Sequence, residues 1–293
     1  PLVFAGGGVI LSETADVLQD IVRRLGAPST ATLLGLGAIP ADEKGFLSFA
    51  GMHGSYGANM AIQECDLLLC VGMRFSDRVT GKVSEFAPHA KIVHFEIDRA
   101  ELNKNVAADY RVLGDLSWSL PILRDKLAAC PDDFAAKFSP WLAHALELEA
   151  KHPFGYREEG DAIKPGALIS KVSSLMGRDA IGVTDVGQHQ MWAAQFFKVY
   201  KPRHFLTSGT MGYGLPAALG AKVGCPDSPV VLFSGDGSIM MNCQEFATIA
   251  DNDIDVKVVV IRNEILGMVG QWQRLFYNHH YSQSELKGKT DLV

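Results

Sequence analysis

The tightest constraint on this 293-residue chain is one segment, residues 230–263. Val230-Val231-Leu232-Phe233 is an unbroken apolar run of strand length, and Gly235-Asp236-Gly237-Ser238 follows at its end. Next comes a helical spacing with Ile239, Cys243, Phe246, Ala247 and Ile249 on one side. A second apolar run, 256–261, then closes on Arg262-Asn263. Strand, helix and strand in that order predict a βαβ unit, whose right-handed crossover brings both strand ends to one edge of a parallel sheet. Ligands of open α/β sheets bind outside those carboxyl ends, and Asp236 and Asn263 both fall there. A carboxylate and an amide oxygen are hard donors suited to magnesium, with diphosphate oxygens and water completing its octahedron. Gly237 lets backbone approach, and the start of the helix aims N–H groups at phosphate oxygens. A lone Gly-Asp-Gly reads at least as well as a plain turn with Asp as helix cap. The Asn that ends the next strand makes the combination far more specific.

The rest of the chain extends this pattern into two blocks. Strand-like runs at Leu2–Ala5, 66–71 and 91–97 alternate with helical patterns such as 13–25, which Gly26 terminates. A second series runs through 180–183, 230–233 and 256–261. Alternation of this kind predicts an α/β fold with two doubly wound, mostly parallel-sheet domains. The boundaries read as 1–130 for the first domain, 131–161 for a connector and 162–293 for the second. The connector carries one helical pattern, 140–151, and a charged stretch, 156–161.

Loop-edge residues in the first block suit a dinucleotide. Gly6-Gly7-Gly8 leaves the first strand, although such a turn is as readily a tight structural one. His53 lies in Gly-Met-His-Gly before a helix. Arg74 and Arg78 follow the strand at 66–71 and read equally as solvated charges. Glu96 ends a strand, and Asp115 follows a short one. The net charge of −6 argues against nucleic acid or an anionic membrane as a main partner. No apolar run approaches the roughly 18 residues of a spanning helix. The five cysteines, Cys65, Cys70, Cys130, Cys225 and Cys243, lack C-x-x-C spacing and read mostly as reduced packing residues. Both ends read as cut from a longer chain.

Longer strings carry a family resemblance. Gly235-Asp236-Gly237 with Asn263 resembles the thiamine-diphosphate fingerprint. The strings 186–195 (VGQHQMWAAQ), 210–218 (TMGYGLPAA) and 267–272 (GMVGQW) narrow it to the catalytic subunits of acetolactate synthases. The resemblance covers essentially the whole chain. It implies magnesium on Asp236, Asn263 and the main-chain oxygen of Ile265. It implies thiamine diphosphate on Gln188, His189, Gly209, Met211, Gly235, Gly237 and Ser238, and a second-substrate pocket at Met268, Val269, Trp272 and Arg78. Residue type alone reads Met211 as core filler and Trp272 as an ordinary buried aromatic. In the first block it implies FAD, without a net redox role, on Gly7, Gly8, His53, Arg74, Glu96 and Asp115. Residues 216–221 form a small-residue helix expected to pack closely, on a neighbouring domain.

The implied activity is decarboxylation of pyruvate and condensation with a second 2-ketoacid, pyruvate or 2-ketobutyrate. These reactions open branched-chain amino-acid synthesis. The implied assembly is a homodimer or larger homo-oligomer with a small regulatory subunit. The implied location is the cytoplasm, or a plastid or mitochondrion in a eukaryote. Two alternatives stand beside this reading: another thiamine-diphosphate enzyme of pyruvate oxidase or glyoxylate carboligase type, and an inactive flavin- or nucleotide-binding fragment. The sequence departs from the family pattern in places. A Gly-Leu-Gly usual between Ser208-Gly209 and Thr210 is lacking, Arg262 replaces a usual Asn, and Ser76 replaces a usual Asp. No segment matches the N-terminal pyrimidine-binding domain that carries the family's activating glutamate. The chain alone is therefore expected to be inactive.

Overall fold

The computed structural model describes residues 1–156, 162–286 and 291–292. The chain divides into two units, Pro1–Gly155 with Val199–Arg203, and Tyr156–Lys198 with His204–Val293. In the first unit the strands Leu2–Ala5 (β1), Ser29–Ala31 (β2), Phe46–Phe49 (β3), Leu67–Val71 (β4), Lys91–Glu96 (β5) and Tyr110–Leu113 (β6) form one parallel sheet. Their order is β3-β2-β1-β4-β5-β6. The helices are Gly7–Leu11 (α1), Ala15–Leu25 (α2), Tyr56–Glu64 (α3), Asp77–Thr80 (α4), Leu116–Ala128 (α5) and Ser139–Lys151 (α6).

Strand side chains alternate between two buried faces. Leu2, Phe4, Leu68 and Cys70 pack with Ala58, Ala61 and Ile62 of α3 and Ala145 of α6. Val3, Ala5, Leu69 and Val71 pack with Leu18 and Val22 of α2 and Leu116 and Leu120 of α5. Burial on both faces is why these strands read as unbroken apolar runs. The expected helix at 13–25 begins at Ala15. It stops at Gly26, whose φ of 60° and N–H bonds to Val22 and Arg23 carbonyls make the left-handed cap that the sequence suggested.

In the second unit Ile181–Thr184 (β7), Phe205–Leu206 (β8), Val230–Gly235 (β9) and Lys257–Ile261 (β10) form a parallel sheet in the order β10-β9-β7-β8. Its helices are Pro165–Met176 (α7), Gln188–Phe196 (α8), Gly214–Gly224 (α9), Asp236–Ile239 (α10), Glu245–Asp251 (α11) and Gly267–Phe276 (α12). Ile181, Val183, Val230 and Leu232 pack on Leu215, Ala218 and Leu219 of α9. Phe233 meets the Phe197 ring at a centroid distance of 5.8 Å. Both units are thus parallel-sheet α/β domains. No helix among the described residues is long and apolar enough to cross a membrane.

Several expectations change. The single helix expected after β9 is two, α10 and α11. Cys243 and Phe246 between and within them are exposed, because the intervening turn aims Asn242 at the Gly212 carbonyl instead of continuing the helix. The small-residue helix α9 buries its Leu215 face on its own sheet. Residues 131–155, read as connector, belong with the first unit: α6 buries Ala145, and Trp141 Nε1 donates to the Pro1 carbonyl at 2.8 Å. Of the charged stretch, residues 157–161 lie outside the described residues. Cys65 and Cys70 are core residues, and burial pushes the Cys65 thiol up to about 12. Cys225 and Cys243 are exposed, contrary to the packing reading.

Candidate functional site

The βαβ unit brings its two polar ends together. Gly235, the last residue of β9, pairs in register with Ile261, the last of β10, so Asp236 and Asn263 emerge side by side at the carboxyl edge. Beyond Asn263 the chain turns through Glu264, a non-glycine residue at φ 57°. That turn points the Glu264 N–H back at Asp236 Oδ2, at 2.8 Å. Asn263 Oδ1 accepts from the Ile265 N–H at 3.3 Å, and its Nδ2 faces Gln188 Oε1 at 3.4 Å. Gln188 Nε2 in turn donates to Gln271 Oε1 at 3.1 Å. Ile265 bridges Glu285 in antiparallel fashion through the flanking bonds, Leu266 N–H to Ser284 O and Leu286 N–H to Glu264 O. Those bonds bypass the Ile265 carbonyl.

The opposite wall comes from β7 and α8. His189 is buried at the start of α8, between the Gly187 and Gly235 backbones, where a Cβ on Gly235 would lie 2.8 Å from its Nδ1. One ring nitrogen donates to the Asp185 carbonyl, while Nε2 is buried without a partner among the described residues. Burial, the larger influence, lowers the His189 pKa to about 4 against the opposing hydrogen bond, so the ring is neutral near pH 7. Ser238, one turn into α10, donates its hydroxyl to the Val186 carbonyl at 2.9 Å. Met211 reaches over the Gly-Asp-Gly turn, its Cε 3.9 Å from where a Cβ on Gly237 would stand. Gly209 is exposed, with nothing within 4 Å of its Cβ position, so it stands apart from the others. On α12, Met268 is half-buried, Val269 is 47% exposed, and Trp272 meets Phe276 edge-on at 5.9 Å.

Sequence reasoning passed over three residues here. Asp185 is buried at the end of β7; its Oδ1 accepts from Val186 N–H at 3.0 Å and Gly212 N–H at 2.8 Å. Asn242 donates to the Gly212 carbonyl from the other side. Gln190, buried on α8, donates to the Thr207 hydroxyl and the Ser208 carbonyl. A carboxylate directly after an apolar strand was the available signal for Asp185. Nothing local marks the other two.

In the first unit the strand order reverses between β1 and β4, the position where open sheets present a crevice. There the glycine turn packs on backbone: Gly8 N–H donates to the Gly72 carbonyl at 2.8 Å, and a Cβ on Gly6 would lie 2.2 Å from that oxygen. Gly7 lies against Leu34. Glu96 ends β5, and its Oε1 caps the Ile97 and Asp98 N–H groups. Gly114 N–H donates to the Glu96 carbonyl, which brings Asp115, the cap of α5, to the same edge. Arg74 is exposed beyond β4. His53 has its pKa lowered by burial and then by the Arg78 charge, while Arg78 on α4 also pairs with Asp77. His94, unremarked in the sequence, is fully buried beneath this edge; its Nε2 meets the Met73 carbonyl at 2.9 Å.

Comparison with known proteins agrees with the two-unit division. Residues 1–123 match the family described as thiamine pyrophosphate enzyme, central domain, and residues 185–293 match thiamine pyrophosphate enzyme, C-terminal TPP binding domain. Thiamine pyrophosphate is the thiamine diphosphate named above. The chain is 44% identical over 296 residues to the acetolactate synthase isozyme 2 large subunit of Escherichia coli (strain K12), covering 100% of the chain and 52% of that protein. It is 44% identical over 289 residues to acetolactate synthase 1, chloroplastic, of Nicotiana tabacum, covering 98% of the chain and 43% of that protein. A probable acetolactate synthase large subunit of Methanocaldococcus jannaschii is 42% identical over 302 residues, with 100% and 51% covered. The chain spans about half the length of the curated relatives it matches.

Proposed function

Since this chain belongs to the thiamine pyrophosphate enzyme family, we propose that it is the central and C-terminal part of an acetolactate synthase catalytic subunit. In this reading the protein joins pyruvate, after loss of carbon dioxide, to a second pyruvate or to 2-ketobutyrate. The cofactor supplies the carbon acid and electron sink for decarboxylation and carbon–carbon bond formation. The observation that carries the reading is the convergence of Asp236, Asn263 and Gln188 at the carboxyl edge of β9 and β10.

The donor set fits magnesium and a diphosphate. It offers one carboxylate, one amide oxygen and a main-chain carbonyl left out of the neighbouring bridge, which suits a hard cation that keeps phosphate and water ligands. Among the described residues no cluster of His, Cys, Asp or Glu offers a fuller cage. The unpartnered His189 Nε2 and the nearby start of α10 fit a polar ligand seated against Gly235, Gly237 and Ser238. Here Asp236, Asn263 and Ile265 hold the cation, Gln188 orients Asn263, and Met211 closes the apolar side. Met268, Val269 and Trp272 shape the acceptor pocket from α12. A small regulatory subunit, as the large-subunit names of relatives suggest, belongs to the same proposal.

FAD on the first unit is a further part of it. Since the Gly8 N–H is committed to Gly72, the flavin reading leans on Gly7, His53, Arg74, Glu96 and Asp115.

Calorimetry tests the cation site. Asp236→Ala is expected to abolish magnesium-dependent thiamine pyrophosphate binding with the circular dichroism spectrum unchanged; undiminished affinity refutes the assignment. Product analysis with pyruvate on the full-length enzyme separates acetolactate formation from the oxidase and carboligase alternatives.

A further inference from the structure

The loop 207–213 has no regular structure between β8 and α9, yet its last turn is held from two sides. Gly212 is buried at φ 89°, and the two peptide groups that flank its Cα contribute one bond each. Its N–H donates to Asp185 Oδ1 at 2.8 Å, and its carbonyl accepts from Asn242 Nδ2. Asp185 is itself fixed, 1% exposed, by the Val186 N–H at 3.0 Å and the Ser234 hydroxyl at 3.5 Å. Gly214, after the clamped turn, has its Cβ position 3.0 Å from the Asp185 N–H, so no larger residue lets the loop shift there. A Cβ on Gly212 would lie 2.9 Å from the Asn242 amide nitrogen. Two elements, the end of β7 and the turn after α10, therefore meet on the backbone of one residue.

What the held Gly212 backbone positions is Met211, the residue before it. Its methyl group stands beside Gly237, the residue after the carboxylate of the candidate cation site. A thioether offers an anion no hydrogen bond, so the ligand atoms it meets belong to the organic rings and not to the anionic diphosphate. We propose that Asp185 and Asn242 are positioning residues that clamp the Gly212 backbone from both sides and thereby set the Met211 wall against which the organic half of thiamine pyrophosphate seats. The inference rests on the thiamine pyrophosphate reading of the site. It assigns discrimination between the whole cofactor and bare pyrophosphate to two residues that touch neither.

Hydrogen exchange on the cofactor-free full-length enzyme, joined with calorimetry using magnesium with thiamine pyrophosphate or with inorganic pyrophosphate, tests the clamp and the ligand separately. Asn242→Ala is expected to speed exchange at Gly212 and to weaken thiamine pyrophosphate about tenfold, as loss of a buried hydrogen bond can, with pyrophosphate affinity held within about twofold. Asp185→Ala acts in the same direction, and the double variant loses less than the product of the single effects, because both act on the backbone of one residue. Asp185→Asn keeps an acceptor oxygen for Gly212 and stays within about threefold of the wild type. Unchanged exchange at Gly212 in Asn242→Ala overturns the clamp. Equal losses for the two ligands overturn it as well, because they mean general loosening of the site. A wild-type full-length enzyme with a protected Gly212 amide that binds pyrophosphate but not thiamine pyrophosphate removes the thiamine reading and overturns the ligand half of the inference.

Discussion

Gly267→Ala separates the candidate site from the stability of the fold. Gly267 opens α12, and a Cβ there would stand 2.2 Å from Gln188 Oε1 and 2.8 Å from Asn263 Nδ2. Both distances are impossible, and both partners are ends of flexible side chains, so the amides move and the backbone stays. The 3.4 Å contact between Gln188 and Asn263 is lost, which removes about 0.5–1.5 kcal/mol of hydrogen bonding. Replacing glycine where its backbone is compatible returns about 0.4–1 kcal/mol through the unfolded chain. The two nearly cancel, so Tm should shift by no more than about 2–4 °C. Cation binding has no such compensation, because Asn263 is the amide that would hold the metal. Loss of its orientation, at about 1.4 kcal/mol, corresponds to about tenfold weaker magnesium-dependent binding of thiamine pyrophosphate. Thermal melting and calorimetry on the same preparation measure both. Unchanged affinity at unchanged Tm would refute the idea that Gln188 orients Asn263 for a cation.

Gly26→Ala is expected to destabilise the first unit by about 1–2 kcal/mol, because φ is 60° there and the new Cβ would lie 2.9 Å from that of Ala135; chemical denaturation followed by circular dichroism reads this. His189 has a folded pKa of about 4 against an unfolded value near 6.5, so the unfolded chain binds more protons between them. Its contribution is therefore full above about pH 6.5 and lost as pH falls toward 4, and His189→Gln should flatten that limb of a denaturation-against-pH profile. Trp272→Leu in the full-length enzyme is expected to reduce the preference for 2-ketobutyrate over pyruvate, within the roughly 1–3 kcal/mol that one methylene is worth in a fitted pocket. An unaltered product ratio in competition would place the ring outside the acceptor pocket.

Which parts of this architecture are legible in the sequence follows from how many residues each feature needs. β1, β4, β5 and β9 are central strands, mostly buried, and the edge strand β10 is half-buried but apolar from Val258 to Ile261, so their apolar runs stand out over four to six residues. β2 and β8 are three and two residues long, and such lengths carry no period. α2 announced itself because its apolar face and Gly26 cap agree. The helix after β9 misled because an apolar spacing at Ile239, Cys243 and Phe246 was read as one face, whereas the turn at Asn242 serves a tertiary hydrogen bond.

The same reasoning separates the two halves of the candidate site. Asp236 and Asn263 could be paired from sequence because each lies within two residues of the end of an apolar strand, and adjacent parallel strands carry their ends to one edge. Local pattern thus becomes a spatial statement with no knowledge of side-chain packing. Asp185, Asn242 and His94 depend on contacts that no period encodes. Asp185 meets Gly212 across 27 positions, Asn242 meets it across 30, and His94 reaches Met73 across 21. Buried polar groups need partners wherever the fold can supply them, and a carbonyl or peptide N–H on another loop serves as well as a side chain. Ligand-holding residues at strand ends are therefore readable from the chain, whereas the residues that hold the loops around them become visible only once the sheet has been assembled.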